Sequence, residues 1–257
     1  MLIPQYLFDA EAFLAFRIIE EKFHVISKSR ISLLKLQLLH ERALHRGHLK
    51  VAQQACDELG ALASPVTGVD ADLKTEVSLR HARTLLAANQ FSQKSGNAAL
   101  GLPYALASIL FCQSFNLDLL KASATLTLAE LWLSHGPSEA ERALALLHGV
   151  FPMILGHGGL ELCARAHITE AKCHLSDPSY SVHHKPDLVL SPLKEACEQL
   201  ELLEYHELAA EAFYLMAMVY DKLGNLEERE KAAASFKEHT LALRNPQESV
   251  DDILNMI

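Results

Sequence analysis

Positive charge is scarce in this sequence. The 257 residues include 23 Lys and Arg against 32 Asp and Glu, which gives a formal net charge of −9. Binding to a nucleic-acid duplex depends on clustered Lys and Arg that displace counterions, and no run of five basic residues occurs here. We therefore expect no nucleic-acid partner.

Long apolar runs are also absent. The most apolar stretch, Leu100 to Phe115, is interrupted by Gly101 and Pro103 and is shorter than a membrane-spanning helix requires. The first four residues carry no basic side chain, and Asp9 and Glu11 follow soon after, which is unlike a signal peptide. The sequence predicts a soluble, intracellular protein with no membrane segment.

Cysteine is sparse and unpaired. The chain has five cysteines, an odd number, and no two of them form a C-x-x-C motif. Such residues are typical of small buried apolar groups in a reducing compartment. We expect free thiols at Cys56, Cys112, Cys163, Cys173 and Cys197.

The strongest positive signal is a short pattern that ends in a helix stop. It occurs as Leu39-His40-x-x-Ala43-x-x-x-Gly47, Leu128-Ala129-x-x-Trp132-x-x-x-Gly136 and Met216-Ala217-x-x-Tyr220-x-x-x-Gly224. Two weaker copies, at residues 81–89 and 170–178, end in Asn89 and Pro178 instead of glycine. A small residue at the second position lets a neighbouring helix pack closely, and Gly or Asn tolerates the positive φ of a helix C-terminus.

The spacing of these copies indicates a helical repeat. Their second positions are residues 40, 82, 129, 171 and 217, so successive copies lie 42, 47, 42 and 46 residues apart. Tetratricopeptide helices end in a similar way but repeat every ~34 residues, and HEAT repeats have the longer period without this Trp/Tyr-to-Gly spacing. We predict an all-α, right-handed α-solenoid of about five to six tetratricopeptide-like helix hairpins in residues 1–245. A C-terminal tail follows in residues 246–257.

Local signals suggest where the helices begin and end. Apolar spacing predicts a first helix at residues 10–24, and a polar connection is expected at residues 89–97. Residues 176–187 are expected to form a mobile insertion. The other expected features are Pro103 in the first turn of a helix, a helix break at Gly156 to Gly159, and capping boxes at Ser138/Glu141 and Asn225/Glu228.

Several stretches resemble a known family. They are Leu102 to Ile109, Leu128 to Trp132, Ala143 to His148, Pro152 to Leu155, and Tyr220 with Gly224, Glu228 and Arg229. In this order they resemble the C-terminal tetratricopeptide region of the anaphase-promoting complex subunit 5 family, over about residues 35–242. The resemblance implies a non-catalytic scaffold in a multi-subunit E3 ubiquitin ligase that controls mitotic progression. It implies large scaffold subunits 1 and 4 and neighbouring tetratricopeptide subunits as partners, and a location in the nucleus and cytoplasm.

Two other functional classes remain open. A stand-alone tetratricopeptide adaptor would bind peptide segments of a chaperone or another complex through basic side chains, and Arg80 with Arg83 is the nearest such cluster. A helical enzyme would need paired carboxylates in a cleft, and the glutamates are spaced for solvent. His157-Gly158-Gly159 is similar to an esterase oxyanion loop, but no G-x-S-x-G motif accompanies it. We assign no catalytic, cofactor-binding or metal-binding residue and no small-molecule substrate.

Four further groups have both a structural and a functional interpretation. Cys163 and His167, and the pair His183-His184, are packing residues or metal ligands. Ser191-Pro192 is a helix N-cap or, like Ser64-Pro65, a phosphorylation site. A group of aromatic residues consists of core residues or partner anchors: Tyr104, Phe111, Phe115 and Trp132. A group of acidic residues forms a solvated helix face or a docking surface: Glu195, Glu198, Glu201, Glu204, Glu207 and Glu211.

Overall fold

All regular secondary structure in the described part of the chain is helical. The structure is a computed structural model, and it describes residues 28–45, 48–63, 71–92 and 97–244. The helices are α1 (Lys28–His45), α2 (Leu49–Leu62), α3 (Ala71–Ser92), α4 (Asn97–Phe115), α5 (Asp118–His135), α6 (Ala140–His157), α7 (Gly159–Ser176), α8 (Asp187–Leu202), α9 (His206–Leu223) and α10 (Leu226–Arg244). A 3₁₀ turn, Pro137–Glu139, precedes α6. The predicted all-α class is confirmed; the expected helix at residues 10–24 and the tail at 246–257 lie outside the described residues.

The helices form five consecutive hairpins. Each helix packs against the next one along the chain, and α3 also contacts α1 and α5, while α5 contacts α7. These additional contacts join neighbouring hairpins, which is the linear arrangement of an α-solenoid. We call α1, α3, α5, α7 and α9 the inner layer, because these helices approach one another, and the remaining helices the outer layer. The tetratricopeptide character and the right-handed superhelix stay predictions.

The small positions of the repeated pattern lie in the core of the array. Ala82, Ala129 and Ala171 are fully buried on inner-layer helices, and Ala217 is partly buried against the C-terminal core. The equivalent His40 is also fully buried, and its ring Nε2 is 2.9 Å from Thr84 Oγ1. The pattern therefore marks close approaches between helices, although His40 fills its place with a hydrogen bond instead of a small side chain.

The helix stops follow the sequence only in part. Gly224 ends α9 in the left-handed region, at φ 72°, as predicted. Gly136 ends α5 with extended backbone, at φ 162°, a conformation that any residue can adopt. The left-handed conformation predicted there is therefore wrong. Asn89 does not stop α3, because helical hydrogen bonding continues to Ser92, and the next glycine in the sequence is Gly96. Gly47 lies outside the described residues.

Three capping predictions are wrong, and one is confirmed in part. Pro103 is the seventh residue of α4 and not in its first turn, because the helix already begins at Asn97. Ser138 lies in the 3₁₀ turn and makes no cap hydrogen bond to α6. Ser191 is the fifth residue of α8, which begins at Asp187, so it is not an N-cap. The backbone N–H of Glu228 does donate to Asn225 Oδ1, at 3.3 Å, where α10 begins.

The segment between α7 and α8 is packed against the array, in contrast to the mobile insertion predicted there. Val182 is buried, and Tyr180 packs against the C-terminal core. The Tyr180 hydroxyl donates to the Lys185 carbonyl at 2.7 Å, and the Ser179 N–H donates to Asp177 Oδ1 at 2.8 Å. Helix α7 ends before Pro178, as the sequence indicated.

Candidate protein-binding surfaces

The inner layer carries ion pairs that link separate hairpins. Arg80 and Arg83 on α3 both donate from Nη1 to Glu41 Oε1 on α1, at 2.5 and 2.9 Å. Arg83 also donates from Nη2 to Glu161 on α7, at 3.5 Å, so its guanidinium joins hairpins on both sides of α5. Burial favours the neutral form of Glu41, but the Arg83 and Arg80 cations and the hydrogen bond with His40 hold its pKa well below the usual range. The carboxylate is therefore ionised and fully engaged.

A second pair is more deeply buried. Arg165 on α7 donates from Nη2 to Glu130 Oε2 on α5 at 2.6 Å and from Nε to the other carboxylate oxygen at 3.3 Å. Arg165 is only 9% exposed and Glu130 17%. Burial disfavours the charged guanidinium, yet the neighbouring Glu130 raises the Arg165 pKa above its ordinary value. A bidentate pair of this kind fixes both the distance and the angle between two helices.

A peptide adaptor would need free cationic side chains, and those beside the inner-layer cavities form ion pairs with glutamates. A cavity of about 610 Å³ opens on the inner layer, lined by Arg83, Glu161, Arg165 and Ser123 among others. A smaller one of about 270 Å³ lies beside it, lined by Lys172 and Glu211 among others. Lys172 forms an ion pair with Glu211, just as Arg83 does with Glu41. A peptide carboxylate would have to displace a glutamate to reach these cations.

The outer layer exposes an unusual helix, α4. It contains no charged residue, and only a narrow strip formed by Gly101, Ala105, Ser108 and Cys112 is buried. The remaining sides carry exposed large apolar side chains, with Leu110 at 64%, Leu100 at 60% and Phe115 at 52%. We call the following six residues the α4 surface: Leu100, Tyr104, Leu106, Leu110, Phe111 and Phe115.

The α4 surface separates the two interpretations of the aromatic residues. The core interpretation is wrong for Tyr104, Phe111 and Phe115, because the helix turns its small residues inward and leaves these rings exposed. Trp132 does pack between helices, and the Arg142 guanidinium lies 4.0 Å above its ring. A helix that is apolar on all sides is ordinarily buried on all sides. The exposed sides of α4 are therefore a candidate protein-binding surface.

The chain is similar to known proteins of one kind. No protein-family model matches it. It is 62% identical, over 271 aligned positions, to anaphase-promoting complex subunit 5 of Arabidopsis thaliana, an alignment that covers 93% of this chain. The chain is therefore similar to a part of anaphase-promoting complex subunit 5 over nearly its whole length.

The subunit 5 relatives are much longer than this chain. The alignment covers 30% of the Arabidopsis protein. Anaphase-promoting complex subunit 5 of Homo sapiens is 28% identical over 158 aligned positions, which is 60% of this chain and 21% of the human protein. The resemblance seen in the sequence is confirmed, and this chain spans about a third or less of the length of these relatives.

The cysteine thiols are buried. All five cysteines are free, as predicted, and burial raises the pKa of Cys56, Cys173 and Cys197 to about 12. The Cys163 thiol donates to the Ile154 carbonyl at 3.3 Å. Such thiols are structural and not nucleophilic.

The histidines predicted as packing residues or ligands have different surroundings. His167 Nε2 lies 3.6 Å from Glu195, and the His167 ring centroid is 5.9 Å from that of Phe151. His183 and His184 are exposed in the loop before α8. Among the residues that the structure covers, no three His, Cys, Asp or Glu side chains are placed to hold a metal ion.

The acidic stretch does not form one helix face, contrary to the sequence prediction. Glu198 lies on α8, Glu204 in the following turn with φ 53°, and Glu207 and Glu211 on α9. Glu207 is partly buried, and this burial together with the neighbouring Glu211 raises its pKa to about 7. Sequence spacing missed this carboxyl, since the turn at Glu204 breaks the helical period.

None of the helices described for residues 28–244 combines the length and apolar character needed to cross a bilayer.

Proposed function

We propose that this chain is part of a non-catalytic scaffold subunit of the anaphase-promoting complex, a multi-subunit E3 ubiquitin ligase that controls mitotic progression. The observation that carries the proposal is the 62% identity to Arabidopsis subunit 5 over nearly the whole chain. The stacked hairpins and the exposed α4 surface support it, because a protein that holds others needs a stiff frame and an uncovered contact area.

The proposed mechanism is geometric. Each hairpin buries its apolar side chains against its neighbours, and ion pairs fix neighbouring hairpins relative to one another. Arg83 connects α1, α3 and α7, and Arg165 connects α5 with α7. A frame held in this way keeps the proteins bound along it at fixed distances and angles.

The described side chains give little support to a catalytic role. The buried thiols have raised pKa values, and the guanidinium groups of the inner layer are engaged by carboxylates. A nucleophile requires the opposite: an accessible group with a lowered pKa beside a base. We therefore propose that the segment binds and positions, while chemistry takes place elsewhere in the complex.

The proposed partners are the large scaffold subunits 1 and 4 and neighbouring tetratricopeptide subunits, with the complex acting in the nucleus and cytoplasm. A chaperone adaptor is the alternative. It would use Arg80 and Arg83 to hold a peptide carboxylate, and Glu41 already occupies both.

Affinity purification of the full-length subunit that contains this segment tests the proposal. The tagged subunit is expressed at its native level in dividing cells and captured, and the bound proteins are quantified. We expect subunits 1 and 4 in near-equal amounts, together with ubiquitin-ligase activity. Capture of a chaperone in their place, or of the subunit alone, would contradict the proposed function.

A further inference from the structure

We infer that the α4 surface binds an apolar α-helix contributed by another subunit of the complex. This inference rests on the proposed function and names the kind of partner that the surface takes. The first observation is the arrangement of side chains around α4. At 100° per residue, Leu100, Tyr104, Phe111 and Phe115 fall along one side of the helix.

A second ridge runs beside the first. Leu106 and Leu110 lie on the side opposite the buried strip, and smaller residues at Pro103, Ala107 and Ser114 fall between the two ridges. Two ridges with a shallow groove between them form the shape into which the ridge of another helix packs. The α4 surface extends about 22 Å along the helix axis, which matches a partner helix of about four turns.

The area of the α4 surface fits a protein partner. If a fully exposed large side chain contributes about 200 Å², the six residues expose roughly 600 Å² of apolar surface. This equals the largest apolar patches found on typical monomers, and a stable interface buries about 800 Å² on each partner. A helix along the groove, with modest contacts from neighbouring outer helices, supplies the difference.

The serine between the two ridges of α4 already has a hydrogen-bond partner. The Ser114 hydroxyl donates to the Leu110 carbonyl at 3.0 Å. A covering helix would therefore not leave this hydroxyl without a partner, and no charge on α4 would lose its water. The matching surface of the partner is uncharged, with large apolar residues repeated every three to four positions.

The absence of charge also predicts how the contact responds to salt. Ionic strength weakens contacts between exposed charges, but it does not weaken burial of apolar area. We expect the partner to remain bound to the captured complex during a wash in about 1 M NaCl. Release of the subunit that contacts α4 in this wash would overturn the inference.

Substitution tests the α4 surface in the full-length subunit. The variant Leu110→Glu/Phe115→Glu places two carboxylates on the surface, and Gln113→Glu adds a charge at an exposed polar position of the same helix. Each variant is captured from dividing cells. We expect the double variant to lose the partner subunit at least tenfold and Gln113→Glu to retain it within about twofold.

Two further measurements keep the test decisive. The circular dichroism spectrum and the thermal unfolding of the purified full-length subunit should be the same for both variants, because the altered side chains are exposed. Equal capture of the partner by all variants would refute the inference while leaving the proposed function intact. Failure of the unaltered subunit to capture any ligase subunit would instead refute the proposed function.

A photo-activated cross-linker identifies the occupant directly. Placed at Leu110 in the assembled complex, it should link to an apolar helix of another subunit. The control is the same cross-linker at Lys194, which is exposed on α8. A cross-link from Leu110 to another part of its own subunit, to a second copy of it, or to nothing would each overturn the inference.

Discussion

The buried pair of Arg165 and Glu130 predicts which of two single substitutions destabilises the fold more. Replacing Arg165 with Met leaves the Glu130 carboxylate without its bidentate donor, and Glu130→Met leaves the Arg165 guanidinium without its acceptor. Removing one member of a buried ion pair costs about 3–5 kcal/mol. Because Arg165 is 9% exposed and Glu130 17%, the orphaned guanidinium has less access to water. We expect a loss of about 3 kcal/mol for Arg165→Met and about 4–5 kcal/mol for Glu130→Met.

The double variant should be far more stable than the sum of its parts implies. Arg165→Met/Glu130→Met removes both charges together, and replacing a buried pair by apolar side chains is close to neutral, about 1 kcal/mol or less. The Thr127 hydroxyl, which also contacts Arg165, still donates to the Ser123 carbonyl at 3.1 Å. No buried polar group is therefore left without a partner in the double variant.

Urea unfolding of the four proteins, followed by circular dichroism, measures these free energies. An exposed pair provides the control: Lys231, on α10, is 61% exposed, and Lys231→Met should leave the midpoint unchanged. Strictly additive losses in the double variant would refute the reasoning, since they would mean that the two charges do not stabilise each other. A larger loss for Arg165→Met than for Glu130→Met would refute the argument from burial.

Three further predictions use the same unfolding assay. Ala129→Leu should cost about 1–3 kcal/mol, because a fully buried position has no room for three more carbons, and Ala217→Leu should cost less because that position is only partly buried. Glu207→Gln should raise the free energy of unfolding at pH 8 by about 2 kcal/mol, because the folded-state pKa near 7 lies above the unfolded value and stability is lost as pH rises through the folded-state pKa. The gain should shrink toward pH 4.5, and a pH-independent effect would contradict this prediction. Gly224→Ala should cost about 1–2 kcal/mol through its positive φ, whereas Gly136→Ala, in extended backbone, should carry no such strain; equal losses would contradict this account.

Much of the fold follows from patterns that are local in the sequence. Apolar spacing and helix stops in the sequence predict α9 at about His206 to Leu223 and α5 at about Leu117 to His135, and the structure places both within a residue of those bounds. In both helices apolar residues recur at helical spacing, and a glycine follows the last turn. Signals of this kind act over a few residues, so they can be interpreted without knowing the neighbouring helices.

Helix starts were harder to place for a physical reason. Ser191-Pro192 has the residue types of an N-cap and first turn, yet α8 begins four residues earlier at Asp187. Pro192 therefore lies inside the helix, where it donates no backbone hydrogen bond to the preceding turn. A capping pattern predicts a helix start only when the residues before it do not already form a helix.

The candidate surfaces depend on information that local patterns do not contain. Residues 100–115 are apolar on every side of the helix. No polar face therefore indicates from the sequence which side of α4 is exposed. The ion pair of Arg83 and Glu161 joins residues 78 positions apart, on hairpins that only the packing of the array brings together. The α4 surface could have been suspected from the lack of charge alone, but its exposed residues could not have been named.

Electron cryomicroscopy of the complex purified through the full-length subunit tests the central claim most directly. We predict that residues 28–244 form stacked helix hairpins, with Ala82 and Ala129 between helices and the α4 surface covered by a helix of another subunit. A map in which this segment contains a β-sheet, or in which Leu100, Leu110 and Phe115 face solvent within the complete complex, would contradict the account.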